Sequence, residues 1–342
     1  MNEIIGSGKT FVDELNLFLE RNFANNKIAL LVDENTEIHC LPKIISVFEK
    51  RDYKLLRVNS GEQNKSIQTC ARLWQELLDF GFNRNSLLVV LGGGTLCDIG
   101  GFVASTYQRG IKFIYLPTTL LSQTDAAWGG KNGVNFNDLK NQIGTINLPE
   151  LVAVNIDFLE TLSQKEFTSG LAEVIKHGII SDKSILEDIE RNRTFSANIL
   201  PLIRKSASVK MSIVNRDVND TGERKALNFG HTIGHAVEAV HEGKYTHGEC
   251  VAAGMLVALY LSKKLLHLNA DEYEYCSGII HKNISLPKIN PEKFPAIISK
   301  TFHDKKNTNG QINFVLLNRI GSVAIDIPVK EDEILEALLK KM

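Results

Sequence analysis

Between residues 27 and 116 four short apolar, β-branched runs recur with helical segments between them, and this alternation narrows the fold more than any other feature of the chain. The runs are 27–32, 53–58, 86–91 and 112–116; the segments 41–50, 66–80 and 98–107 between them have helical period. Strands apolar on both faces belong in a parallel sheet covered by helices on each side. After about residue 160 the pattern turns helical, over 164–180, 184–191, 196–214, 231–241, 247–266 and 270–282. The segments 312–317 and 322–327 flank Gly321 as a small hairpin, and a last helix starts at Lys330. The expected architecture is an α/β nucleotide-binding domain with a parallel sheet over 1–155, followed by a mainly α-helical domain over 156–342. A chain of 342 residues suits two domains.

Lys and Arg number 39 against 40 Asp and Glu, a net charge of -1, so no global field favours nucleic acid or an anionic membrane. Any cationic cluster is therefore a local site. Cys40, Cys70, Cys97, Cys250 and Cys276 are scattered with no Cys-x-x-Cys pair, the usage of a cytoplasmic protein with reduced thiols. The start, Met1 to Gly6, lacks the basic and apolar regions of a signal peptide. The longest apolar run, 251–261, contains Gly254 and is too short to span a bilayer, so it reads as a buried helix and no membrane contact is expected.

Several motifs carry chemistry. Gly92-Gly93-Gly94-Thr95 follows a strand and precedes a helix, where backbone amides can meet a pyrophosphate; a tight turn without ligand reads the same way. Asp33, at the end of the first run, and Thr118-Thr119, after the fourth, lie at the carboxyl edge of the sheet, where cofactors bind. Lys131 and Lys140 sit in a glycine-rich stretch and suit a phosphate, or else a solvated loop. Glu173 and Lys176 lie three apart on an apolar helix, as a metal ligand beside a cavity-facing lysine or as a salt-bridged pair. His231 and His235 lie four apart and share a helix face, a spacing that holds divalent metals and also occurs on plain surface helices. Glu238, His247 and Glu249 follow in the same run.

Together these motifs resemble the 3-dehydroquinate synthase family, within the sugar-phosphate cyclases, from about Asp33 to Gly321. The resemblance rests on Gly92-Gly93-Gly94 with Asp98 and Arg109-Gly110, Pro117-Thr118-Thr119, Asp125 with Gly129-Gly130-Lys131, and Lys140-Asn141. It continues through Gly170 with Ala172-Glu173-Val174-Ile175-Lys176, Leu227-Asn228-Phe229-Gly230-His231, Gly234-His235-Ala236 with Glu238, Thr246-His247-Gly248-Glu249 and Asp304-Lys305-Lys306. Three departures from the family pattern stand out: Thr95-Leu96-Cys97 before Asp98, Ala126-Ala127-Trp128 after Asp125, and Leu139 before Lys140.

The resemblance implies an NAD- and metal-dependent lyase of the shikimate pathway leading to chorismate and the aromatic amino acids. Its substrate would be 3-deoxy-D-arabino-heptulosonate 7-phosphate, and the enzyme a cytoplasmic homodimer. It implies transient oxidation of the C5 hydroxyl by NAD+, phosphate loss, return of the hydride, ring opening and aldol closure to 3-dehydroquinate. By the same resemblance Zn2+, with Co2+ as a substitute, is held by Glu173, His231 and His247 rather than by the His231/His235 pair. NAD is lined by Asp33, Glu62, Lys65, Gly93, Gly94, Asp98, Thr118, Thr119 and Thr161, with Asp125 and Lys140 between cofactor and substrate. Lys176 and His235, with Asp125, surround the reacting hydroxyls. Lys131, Asn141, Asn228 and one of Lys305 and Lys306 take the phosphate, Arg109 reaches across a dimer interface, and Lys210 and Arg224 take the carboxylate. Related cyclases act on substrates that lack this carboxylate, and the retained Arg224 and Asn228 set the chain apart from them.

Overall fold

The computed structural model describes residues 1–137, 139–191, 199–302 and 312–342, which form two compact units, Met1–Leu162 and Ser163–Met342. The first unit contains β1 (Asn2–Gly6), α1 (Gly8–Phe23), β2 (Ile28–Val32), α2 (Glu34–His39), β3 (Tyr53–Arg57) and α3 (Ile67–Asp79). It continues with β4 (Leu87–Gly92), α4 (Gly94–Thr106), β5 (Lys112–Pro117), β6 (Lys131–Phe136), β7 (Leu139–Ile146) and β8 (Leu151–Asn155).

Six strands pair in parallel in the order β1-β8-β5-β4-β2-β3. β2, β4 and β8 are buried at every residue, which is why their sequences are apolar apart from Gly92 and Asn155 at the ends of β4 and β8. On one face the α1 stripe Phe11, Leu15, Leu19 and Phe23 packs with Ile28, Leu30 and Val32 of β2 and Leu87, Val89 and Leu91 of β4. Each such side chain contributes roughly 1.5–3 kcal/mol on burial. On the other face α4 lies so close that a Cβ at Gly100 would stand 2.4 Å from Val90 Cγ2. The chain leaves β2 outward to β3, yet leaves β4 the other way to β5. The strand order therefore reverses between β2 and β4, and the carboxyl ends of these two strands border the crevice where open α/β sheets bind ligands.

Local structure differs from the sequence expectation in places. Segment 41–50 is not an α-helix but two 3-10 turns, Leu41–Lys43 and Ile45–Val47, because Pro42 disfavours helix at the residue before it. Leu41, Ile44, Val47 and Phe48 still face the core, since an i, i+3 spacing keeps one face in either helix type. The helix expected over 98–107 begins earlier, at Gly94, with Gly93 as its N-cap. The stretch carrying Lys131 and Lys140 is an antiparallel hairpin, β6–β7, in which Gly133 pairs with Gly144. A Cβ on Gly144 would come within 2.4 Å of Asn132 O, so the two strands need glycine there.

The second unit contains α5 (Gln164–Ile180), α6 (Lys183–Arg191), α7 (Ile199–Arg216), α8 (His231–His241), α9 (His247–Leu265), α10 (Ala270–Asn283) and α11 (Phe294–Phe302). A hairpin of β9 (Ile312–Arg319) and β10 (Ser322–Val329) and then α12 (Glu331–Lys341) complete it. α9 is buried from Cys250 through Leu259 and α5 from Ser169 through Ile180, so these two helices form the centre of the unit. Among the described residues no helix is long and apolar enough to cross a membrane.

Candidate active site

In the first unit the glycine run lies at the sheet crevice. Gly93 and Gly94 open α4, and a Cβ at either would press on Thr119 Cγ2 at 3.1 Å or Ala126 Cβ at 3.2 Å. Backbone amides are thus presented at a helix N-terminus with no side chain before them, a cradle that suits a pyrophosphate. Beside it Lys65, 4% exposed, places Nζ 2.5 Å from Asp98 Oδ2, 2.5 Å from Asn141 Oδ1 and 4.0 Å from Glu62 Oε1. Thr95 Oγ1 donates to Glu62 Oε2 at 2.8 Å, and Asn135 Nδ2 donates to Glu62 Oε1 at 3.0 Å. The expected NAD-lining residues Glu62, Lys65 and Asp98 thus form one network, joined by Asn141 and by Asn135, which the sequence did not single out.

Asp33 ends β2 and caps α2, its Oδ1 accepting the Thr36 N–H at 2.8 Å. Thr118 is buried behind the glycine run, its N–H donating to Gly92 O at 3.0 Å. Thr161 is exposed at the end of the turn after β8. Asp125 lies in a π-helical turn, Ser122–Ala126, a conformation common at functional sites. Lys131 opens β6 opposite Ile146, whereas Lys140 lies next to the hairpin turn, roughly 15 Å away along the strands, so the two lysines serve different positions. Arg109 is exposed in a left-handed backbone conformation, φ 69°.

Of the departures from the family pattern, Cys97 and Trp128 are packed away and Leu139 lies on the surface. Cys97 is buried, with Sγ 3.7 Å from Gly92 O. Trp128 is 2% exposed and donates Nε1–H to Gln123 O at 2.8 Å, while Leu139 is 58% exposed on the hairpin.

In the second unit Glu173 of α5, His231 of α8 and His247 of α9 converge. Glu173 Oε1 lies 3.5 Å from His231 Nε2 and 3.6 Å from His247 Nε2, with the carboxylate only 1% exposed. Three donors about 2.0–2.1 Å from a tetrahedral metal would stand about 3.4 Å apart, so this donor set fits a zinc-like ion with room for a further ligand. The outer ring nitrogens are also engaged: His231 Nδ1 meets Phe229 O at 3.2 Å and His247 Nδ1 meets Glu238 Oε2 at 3.2 Å. His235 is exposed; its ligating nitrogen also lies within 4.8 Å of those of His231 and His247.

His231 and His247 differ in their electrostatics. Burial, outweighing the nearby Glu173, holds the His231 imidazole well below its usual range, hence neutral and able to ligate. Burial also opposes charge on His247, but Glu173 and Glu238 overcome it and raise its pKa to about 10. Lys176 Nζ pairs with Glu173 Oε2 inside the helix core, both side chains 1% exposed.

Glycines bring the three helices together. Gly248 N–H donates to Ser169 Oγ at 3.0 Å, and a Cβ on Gly248 would fall 2.2 Å from Ser169 O. A Cβ on Gly254 would fall 1.9 Å from Gly230 O, and one on Gly234 would fall 2.9 Å from Val251 Cα. The glycines beside each histidine are thus the sequence signal for helices close enough to share a metal.

Lys210 on α7 and Arg224 in the turn Glu223–Asn228 are both buried, and Asn228 is half-buried. Asp217, which the sequence did not flag, holds the Arg224 loop. Its Oδ2 accepts the N–H groups of Gly222 at 2.7 Å and Arg224 at 3.0 Å, and its Oδ1 that of Thr221 at 3.1 Å. These bonds depress its carboxyl to about 2. Arg224 itself donates Nη1–H to Val218 O at 2.8 Å. Lys305 and Lys306 lie outside the described residues.

The 3-dehydroquinate synthase N-terminal family model matches residues 55–169 and the corresponding C-terminal model matches 170–307. A 3-dehydroquinate synthase from Parabacteroides distasonis is 39% identical over 96% of this chain and 95% of its own length. One from Pyrococcus abyssi is 39% identical over 98% of this chain and 96% of its own length. Among solved structures, a 2-deoxy-scyllo-inosose synthase superposes with TM-score 0.87 at 23% identity, covering 99% of this chain and 96% of the other. ValA, a 2-epi-5-epi-valiolone synthase from Streptomyces hygroscopicus subsp. jinggangensis with NAD+ and Zn2+ bound, superposes with TM-score 0.85 at 22% identity, with the same coverage of each chain.

Proposed function

The chain belongs to the 3-dehydroquinate synthase family, and we propose that it converts 3-deoxy-D-arabino-heptulosonate 7-phosphate to 3-dehydroquinate and phosphate in the shikimate pathway. The observation that carries the reading is the convergence of Glu173 Oε1 with the Nε2 atoms of His231 and His247 at 3.5 and 3.6 Å, in a chain that matches both halves of the family. The relatives with this activity are 39% identical, against 22–23% for the superposable cyclases that make other products.

We assign NAD binding to the first unit and metal binding to the second. Bound NAD supplies a hydride acceptor that is regenerated in each turnover. A bound divalent ion, Zn2+ or Co2+, supplies Lewis acidity toward the oxidised hydroxyl. Glu173, His231 and His247 hold that ion. Lys176, paired with Glu173, places a cationic donor beside the reacting oxygens, and the family resemblance gives His235 and Asp125 roles toward the same hydroxyls. The glycine cradle at Gly93 and Gly94 receives the pyrophosphate, and Asp33, Glu62, Lys65, Asp98, Thr118, Thr119, Lys140 and Thr161 orient the rest of the cofactor.

Lys210 and Arg224, both buried, bind the carboxylate, to which they offer charge-assisted hydrogen bonds. Lys131, Asn141, Asn228 and one of Lys305 and Lys306 hold the phosphate. In a homodimer, Arg109 of one protomer would reach the phosphate bound by its partner. The five buried free thiols suit the reducing cytoplasm.

The test is phosphate release with NAD+ and Zn2+. We expect release from the heptulosonate phosphate; release only from a seven-carbon sugar phosphate without the carboxylate would overturn the assignment in favour of a related cyclase.

A further inference from the structure

Glu238 closes the histidine-rich run, and none of the roles above falls to it. It sits on α8 two turns beyond His231, so both project from the same side of that helix. Its side chain is 15% exposed, and Oε2 lies 3.2 Å from His247 Nδ1. The opposite ring nitrogen of His247, Nε2, lies 3.6 Å from Glu173 Oε1. The imidazole is therefore spanned by two carboxylates from two different helices, one at each nitrogen.

His231 has the same arrangement with a weaker outer partner. Its Nδ1 faces the neutral carbonyl of Phe229 at 3.2 Å while its Nε2 faces Glu173. An acceptor at Nδ1 requires the ring proton there and leaves the Nε2 lone pair for a metal. A carboxylate acceptor does more than a carbonyl, because its charge raises the basicity of the ring and offsets the charge of a bound cation. This matters because Lys176 takes up part of the negative charge of Glu173.

We infer that Glu238 is a positioning residue for the metal centre, fixing the Nδ1–H tautomer and ring orientation of His247 and strengthening its hold on the ion. The inference rests on the Glu173/His231/His247 metal reading. Glu238 touches neither the ion nor the substrate in this role. Its contribution passes entirely through His247.

The experiment measures Zn2+ and Co2+ dissociation constants of the full chain by chelator competition, without NAD or substrate. Glu238→Ala, Glu238→Gln and His247→Ala are compared with the unchanged protein. We expect Glu238→Ala to weaken binding 10- to 100-fold. Glu238→Gln keeps an acceptor oxygen without the charge and should fall between. The visible absorption of bound Co2+ should shift in Glu238→Ala and return toward the original in Glu238→Gln, which a merely structural role for Glu238 would not produce. A Glu238→Ala constant within twofold of the unchanged protein overturns the inference while leaving the metal reading intact. Should Glu238→Ala lose its cooperative unfolding transition, Glu238→Gln decides: an unchanged constant together with an unchanged Co2+ spectrum overturns the inference. Unchanged metal affinity in His247→Ala overturns the metal reading and the role of Glu238 with it.

Discussion

Glu173 Oε1 and His247 Nε2 stand 3.6 Å apart on α5 and α9, two helices far apart along the chain. The pairing is made by backbone proximity. Gly248 lets the start of α9 settle on Ser169, one turn before Glu173. A metal site of this kind depends on the packing of helices as much as on the identity of its ligands.

The first prediction concerns the ion. Chelation should lower phosphate release by ~10^3-fold or more, since Lewis-acid stabilisation contributes several kcal/mol. Zn2+ or Co2+ should restore it. Glu173→Gln should also lose the metal, and neutralising the charged partner of buried Lys176 should lower the thermal midpoint. Metal content and calorimetry check both outcomes.

Arg224→Ala should raise KM for the carboxylate substrate about 100-fold, because it removes a buried charge-assisted contact. Metal content should stay unchanged. Loss of metal in this variant would contradict the role given to Arg224.

Asp217 governs the loop that carries Arg224. Its folded carboxyl lies at about 2, below the ordinary 3.8, because backbone N–H groups favour the charged form. Its hold on the loop is therefore complete above the ordinary value and is lost as pH falls through about 2. Protection of the Gly222 and Arg224 amides, taken against the intrinsic exchange rate at each pH, should hold down to pH 4 and fall between about 4 and 2. Asp217→Ala should show the same loss of protection at neutral pH and raise KM about 10-fold through misplacement of Arg224, with kcat less affected.

Gly248→Ala would put a methyl group 2.2 Å from Ser169 O. Forced separation of α5 and α9 should cost roughly 1–3 kcal/mol, a fall in thermal midpoint of roughly 2–12 °C. Metal affinity should fall with it. A variant with an unchanged midpoint and affinity would mean that the contact relaxes without moving His247.

Burial pushes the thiols of Cys40, Cys70 and Cys276 up to about 12, and that of Cys97 well above its ordinary range. Native protein at pH 8 should leave all five cysteines unmodified by Ellman's reagent, and guanidinium should expose five. Rapid reaction of any thiol in the native state would show that its segment opens.

Much of the fold was legible because burial writes itself into sequence. β2, β4 and β5 are apolar runs, and α8 through α10 show their helical period, each matched by the structure to within a residue or two. β1, β8, α1 and α11 lie outside the elements read from the sequence, although Phe11, Leu15, Leu19 and Phe23 mark α1 by period. The β6–β7 hairpin was not legible, because its strands expose Phe136, Leu139 and Ile146 and contain Gly133 and Gly144 where a buried strand would carry apolar residues. Residues 41–50 kept the right buried face in the wrong helix type, since Pro42 interrupts α-helix without changing which residues point inward.

The sequence by itself determined the residue types of the site, the helices that carry them and the glycine run before α4, because these depend on local period and backbone freedom. It could bring His235 to His231, since neighbours at i+4 follow from helix geometry alone. Only the tertiary structure decided that Glu173 comes within reach of both His231 and His247, that Glu238 stands behind His247 and that Asp217 pins the Arg224 loop. Those contacts arise where helices distant in sequence touch, and the distance of touching is set by glycines whose missing side chains matter only once the opposing backbone is in place.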